Sequence, residues 1–251
     1  MTVEAVIAAL NLPAGARVDQ RVPKKLLLEN GAPTAVDKRL INDGIEEIRW
    51  LAALKPATCG VPEFRDETRE YVEIAVLHIV LQGRAKAVRL IELMHRAVPY
   101  PVLLLIDHSG RVGLSLAHKR NALNEVDRVV LDGEPSVVTM QPSDREIQAA
   151  FLQAMDMARQ PRATLYALYQ GWLDTGLALQ AAVITGAFNQ LDSAELVAAR
   201  RQALHACITL QERINALRVA ASKASQMATQ VEINIELRRF LDELSSARSG
   251  L

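Results

Sequence analysis

Cysteine is nearly missing from this 251-residue chain, and so is any surplus of charge. The two cysteines, Cys59 and Cys207, form no CxxC pair, so the pattern offers neither a zinc knuckle nor a redox dithiol and suits a reducing cytoplasm. Lysine plus arginine and aspartate plus glutamate number 29 each, and a cut at Gln141 leaves 18 of each sign before it and 11 after. Neither half is a polyelectrolyte. This excludes nucleic-acid binding driven by bulk charge and confines any such contact to a local patch. Neutrality also removes colloidal repulsion, a state that a protein with a standing partner tolerates better than a free monomer.

Long apolar runs are absent as well. The richest, "LALQAAVITGAF" from Leu177 to Phe188, falls short of the ~20 residues a bilayer crossing needs, so no membrane span is expected. The opening "MTVEAVIAALNLPAG" lacks the basic and long apolar regions of a secretory leader and reads as a short amphipathic helix that stays on the chain. No GxxxxGK[ST] loop holds nucleotide phosphates, and no GxGxxG follows a strand to hold a dinucleotide. No cofactor is expected.

The histidines give no metal spacing. His95 and His205 fall on helices without a second ligand at i+3 or i+4, and His78 lies among valines and isoleucines as a hydrogen-bonded core residue would. Asp107, His108 and Ser109 stand side by side, which invites a hydrolase reading. Neighbours on an extended chain point to opposite faces, whereas a triad needs three side chains converging on one point. A metal-dependent nuclease would carry an aspartate on one strand and Glu-x-Lys on the next. Asp107 and Glu73 are the nearest carboxylates, but Glu73 is followed by "IAV". No catalytic residue and no metal ligand is assigned.

What is present is periodicity, and it changes midway. Up to about Met140 short apolar runs alternate with turn signals: "IRWLAAL", "REYVEIAVLHIVL", "VLLLID", "RVGLSLA" and "DRVVLDG" read as strands. Apolar residues on both faces of the Tyr71 to Leu81 run suggest a central strand. Gly83 opens a helix in which Val88, Ile91 and Val98 share a stripe, and Ser109 and Gly110 make the tight bend of a β-hairpin, with positive φ at the glycine. The order β-β-α-β-β-β gives an α+β fold with a mostly antiparallel sheet at residues 1–141, followed by a helical domain at 142–251. Ser143 with Glu146 fits a capping box at the boundary, Pro161 opens a second helix from Arg162 to about Gly186, and Asp192 with Glu195 opens a third.

That third helix reads as long and coiled-coil-like, from Ser193 to Leu244. Small or apolar residues recur through Leu210, Ile214, Leu217, Ala221, Ala224, Ala228 and Val231 in an a/d seam. Its covering surface is either the preceding helix or another chain, including a second copy. The remaining polar clusters are basic: Arg17, Arg21, Lys24 and Lys25 in one stretch, His118, Lys119 and Arg120 in another. A solvated surface is the simpler reading of both, and phosphate contact is the functional one.

The blocks "RVPKKLLLEN", "INDGIEEIRWLAALKPAT", "REYVEIAVLHI", "AVPYPVLLLI" and "GLSLAHKR", in this order over roughly residues 10 to 140, resemble the bacterial domain of unknown function 4391 family. The alanine-rich end matches no motif associated with it. The resemblance carries no activity or catalytic residues. It implies a setting among companions of helicases and DNA methyltransferases in restriction or phage-defence clusters. With that setting, the expected role is a non-catalytic adaptor or assembly subunit that touches other proteins, with a metal-dependent nuclease or other DNA-processing enzyme as the alternative.

Overall fold

Short apolar runs, buried on both faces at the centre, build a six-stranded mixed sheet. In the computed structural model, which describes residues 2–122, 129–139, 145–224 and 226–251, the strands are β1 (Arg17–Arg21), β2 (Ile45–Leu54), β3 (Phe64–Arg65), β4 (Glu70–Tyr71), β5 (Ile74–Leu81), β6 (Val102–His108), β7 (Arg111–Leu116), β8 (Lys119–Asn121), β9 (Val129–Leu131) and β10 (Ser136–Thr139). The helices are α1 (Val3–Ala9), α2 (Lys24–Asn30), α3 (Ala35–Gly44), α4 (Pro56–Cys59), α5 (Ala87–Ala97), α6 (Arg145–Ala154), α7 (Leu165–Thr185), α8 (Ala194–Lys223) and α9 (Met227–Arg248). The fold is α+β. Two compact units divide the chain, Met1–Gly176 and Leu177–Leu251, with α7 contributing to both. The boundary expected at residues 141–142 and the capping serine at 143 lie outside the described residues.

Sheet order is β1-β2-β5-β6-β7-β10, antiparallel except for β5 and β6, which run parallel because α5 carries the chain between them. The central position read for the Tyr71 to Leu81 run is that of β5. Its Ala75, Leu77, Ile79 and Leu81 pack with Val102, Leu104 and Ile106 against Leu27, Ile41, Leu90 and Met94 of the covering helices. Ile74 and Val76, on the opposite face, are equally buried. Asp37 on α3 takes a bidentate pair from Arg89 on α5, at 2.8 and 3.0 Å, which fixes one covering helix to the next. Ser109 and Gly110, at φ 53° and 72°, form the two-residue turn between β6 and β7, with His108 opposite Arg111.

Four details differ from the sequence expectation. The Tyr71 to Leu81 run is interrupted after Tyr71, because Tyr71 pairs with Phe64 in a separate ladder. The buried residues of α5 are Leu90, Ile91, Leu93, Met94 and His95, while Val88 is exposed. The segment around Val129–Leu131 pairs with β8, and the sixth strand of the sheet is β10 instead. Beyond Pro161, Thr164 caps the next helix through the Ala167 amide at 3.2 Å, so α7 starts at Leu165.

In the second unit the tract expected from Ser193 to Leu244 is two long helices that fold back on one another. Ser193 caps α8 by accepting the Leu196 amide. At its other end Ala224 turns extended (φ −72°, ψ 121°), and Gln230 donates to the Ala224 carbonyl at 2.7 Å, satisfying an acceptor left over by the helix end. Cys207 and Ile214 of α8 then meet Phe240 and Leu244 of α9, with Leu210 and Leu217 at the margin. Reversal lets the larger residues on either side of the alanine-rich stretch bury one another.

Candidate functional site

Of the basic residues singled out in the sequence, Arg17 and Arg21 stand exposed on the edge strand β1, where Arg21 lies opposite Arg49 of β2. Lys24 donates to the Asn42 carbonyl at 3.1 Å, and Lys25 is exposed, 3.7 Å from Glu29. His118, Lys119 and Arg120 follow β7, four sheet positions away, or roughly 19 Å at ~4.8 Å per strand. The fold does not bring the two clusters into one patch.

Nor are the second three residues a free basic surface. His118 sits in a half-buried polar chain: Gln170 donates to Asp174 at 2.8 Å and turns its carbonyl to His118 Nε2, also at 2.8 Å. The ring therefore carries its hydrogen on Nε2, and Nδ1 accepts from the Tyr71 hydroxyl at 2.5 Å. Tyr166 stacks between Phe64 and His118, with centroids 4.9 and 5.1 Å apart, and Arg69 lies over the Tyr166 ring. Because these rings cover one another, they are not open platforms for bases. Arg69 pairs with Asp132 at 2.6 Å, and Arg120 lies 3.8 Å from the same carboxylate. Burial pushes the Tyr71 hydroxyl above its ordinary range.

Lys119 lies inside, 3% exposed. Its Nζ donates to the carbonyls of Val98 and His95, the latter at 2.6 Å, at the C-terminal end of α5. His95 is fully buried, its Nε2 2.9 Å from Ser115 Oγ and its Nδ1 without a hydrogen-bond partner among the described residues. Burial, reinforced by Lys119, holds His95 neutral with a pKa lowered to about 3, and burial lowers Lys119 to about 7. A cleft of about 950 Å³ opens here between the end of α2, α5 and β9. Sequence reasoning missed this cluster. The signal was available: continuing the alternation of β7 past Leu116 puts Ser115, Ala117 and Lys119 on one side, facing α5.

The carboxylates weighed for a nuclease are far apart. Asp107 stands opposite Val80 in the parallel register, whereas Glu73 precedes β5 at its other end, roughly 20 Å away at ~3.3 Å per residue, and pairs with Lys55 at 3.1 Å. They cannot share a cation. His78 is half-buried and Nε2 has no hydrogen-bond partner among the described residues, so it is less satisfied than a core histidine was expected to be. Among the described residues, no three His, Cys, Asp or Glu side chains group as metal ligands, and no helix is long and apolar enough to cross a membrane.

The seam residues of the second unit divide in two. Leu210, Ile214 and Leu217 are covered within the hairpin, Ala221 and Ala224 are half-buried near the reversal, and Ala228 and Val231 are exposed. Met227, Val231 and Ile235, exposed by 81, 53 and 67%, follow at i, i+4 and i+8. At 100° per residue they form a row on the side of α9 roughly opposite Phe240 and Leu244. A second apolar stripe thus faces away from the hairpin's core.

The family model described as "Domain of unknown function (DUF4391)" matches residues 10–244, well beyond the blocks near the N-terminus and through the alanine-rich region. No curated protein and no solved structure matches the chain. The chain belongs to the DUF4391 family.

Proposed function

We propose that this DUF4391 member is a non-catalytic adaptor or assembly subunit of a bacterial, cytoplasmic DNA-defence complex of the restriction or anti-phage kind, working with a helicase or a DNA methyltransferase. The observation that carries the reading is the Met227–Val231–Ile235 row: three large apolar residues on one helix face whose opposite face is already buried. Apolar side chains grouped in this way mark docking surfaces more often than scattered ones do. The choice of partner rests on the setting that the sequence resemblance implies. Any direct DNA contact falls to the exposed Arg17, Arg21 and Lys25 rather than to Lys119. Affinity capture of the tagged protein from its bacterial host tests the reading. A helicase or methyltransferase retained at stoichiometric level supports it. Capture of neither, together with DNA cleavage that needs a divalent cation and is lost in Asp107→Ala, replaces it with the nuclease.

A further inference from the structure

Lys119 is held in a way that ordinary surface lysines are not. Its Nζ has two backbone carbonyls as acceptors and makes no ion pair among the described residues. A neutral amine satisfies both carbonyls with its two hydrogens and keeps its lone pair unused. Besides Lys119 and the neutral His95, the ionisable groups of the cleft are Glu92 and Arg96 from α5, Glu29 from α2, and Glu134 after β9. Glu92 is engaged by Arg96 at 2.6 Å and Arg89 at 2.7 Å. The rest of the wall is largely apolar, with Pro33, Ile91, Val130 and Val137. Three glutamates disfavour an anionic ligand, and the apolar wall favours an uncharged one.

We propose that Lys119 is a nucleophilic amine that captures a small, uncharged aldehyde or ketone in this cleft as a reversible imine. The Nζ lone pair forms the bond to the carbonyl carbon. The C=O bond is exchanged for C=N, and the carbonyl oxygen leaves with both amine hydrogens as one water. When protonated, the imine retains one N–H for a backbone carbonyl. The reaction needs an unprotonated amine, which burial supplies near neutral pH. A lysine at the ordinary pKa of ~10.4 is neutral in only about one molecule in 2,500 at pH 7. The assignment is independent of the adaptor reading, since it concerns the first unit alone.

The test is limiting propionaldehyde with cyanoborohydride at pH 7, followed by mass-spectrometric mapping of all seven lysines. Lys119 is expected to be alkylated at least tenfold ahead of the other six, well within the roughly 1,000-fold advantage its neutral fraction allows, and Val88→Trp, at an exposed residue lining the cleft, is expected to slow that labelling selectively. Lys119 emerging as the least modified lysine of the folded protein would reduce it to a helix cap and overturn the proposal. Preferential labelling that Val88→Trp leaves unchanged would overturn the cleft as the ligand's site.

Discussion

Ser109 and Gly110 both occupy the left-handed region, and no atom lies within 4 Å of where a Gly110 Cβ would stand. The cost of a side chain there is backbone strain alone. Gly110→Val is expected to lower stability by more than ~1 kcal/mol, whereas Ser109→Gly is expected to raise it by a few tenths to ~1 kcal/mol, both read by denaturant melts. Ser109→Ala leaves the strain as it is and should be nearly silent. This turn was legible because a Ser-Gly pair between two apolar strands is a local signal. Lys119 was harder to read, since its only mark is the alternation of β7 continued past Leu116, and a charged residue just beyond a strand end otherwise looks like a solvated one. Its folded pKa of about 7 lies below the unfolded ~10.4, so between those values the unfolded chain binds more protons. Lys119 should therefore raise stability from pH 7 to about 9.5, opposed above about pH 8 by the raised pKa values of the buried Cys59 and Cys207 thiols. Above that, the raised pKa values of buried Tyr71 and Tyr169 act in the opposite sense. Lys119→Met is expected to flatten the rise in pH-dependent urea melts, and an unchanged slope would assign it elsewhere. His95 adds a second rise, since its depressed pKa makes acid below about pH 6.5 destabilising.

At the scale of elements, strands β2, β5, β6 and β7 and the turn between the last two follow from short, nearly continuous apolar runs bounded by turn signals, the pattern of strands covered on both faces. The sixth strand does not. Val129–Leu131 and Val137–Val138 are equally good short apolar runs, and only pairing with β7 selects the second. The α8–α9 reversal escaped for a related reason: an a/d seam has the same spacing whether the covering helix is a later part of the chain or a second chain. The structure separates the two along the seam. Ile214 is fully buried against α9, so Ile214→Asp loses the ~1.5–3 kcal/mol of its burial and also buries a carboxylate. A clear fall in melting temperature with unchanged mass by light scattering is the expected result. Dissociation of an oligomer without loss of helix would instead place Ile214 at an interface between chains.

For the whole molecule, a fold and a family were within reach of the sequence, and a role was not, because neither catalytic spacing nor a cofactor motif announces one. The adaptor reading makes α9's outward row the working surface and α8's inward residues the scaffold. The two can be separated by paired variants. Met227, Val231 and Ile235 are exposed, so Val231→Asp with Ile235→Asp should leave the melting temperature within about 2 °C of the parent, as surface changes generally do. The most direct test is quantitative capture of the helicase or methyltransferase by this double variant and by the parent chain, with thermal melting of both. The expected result is a folded double variant that retains less than about a tenth of the partner, as a loss of ~1.4 kcal/mol or more at the interface requires. A double variant that melts normally and still retains the partner in full would contradict the account.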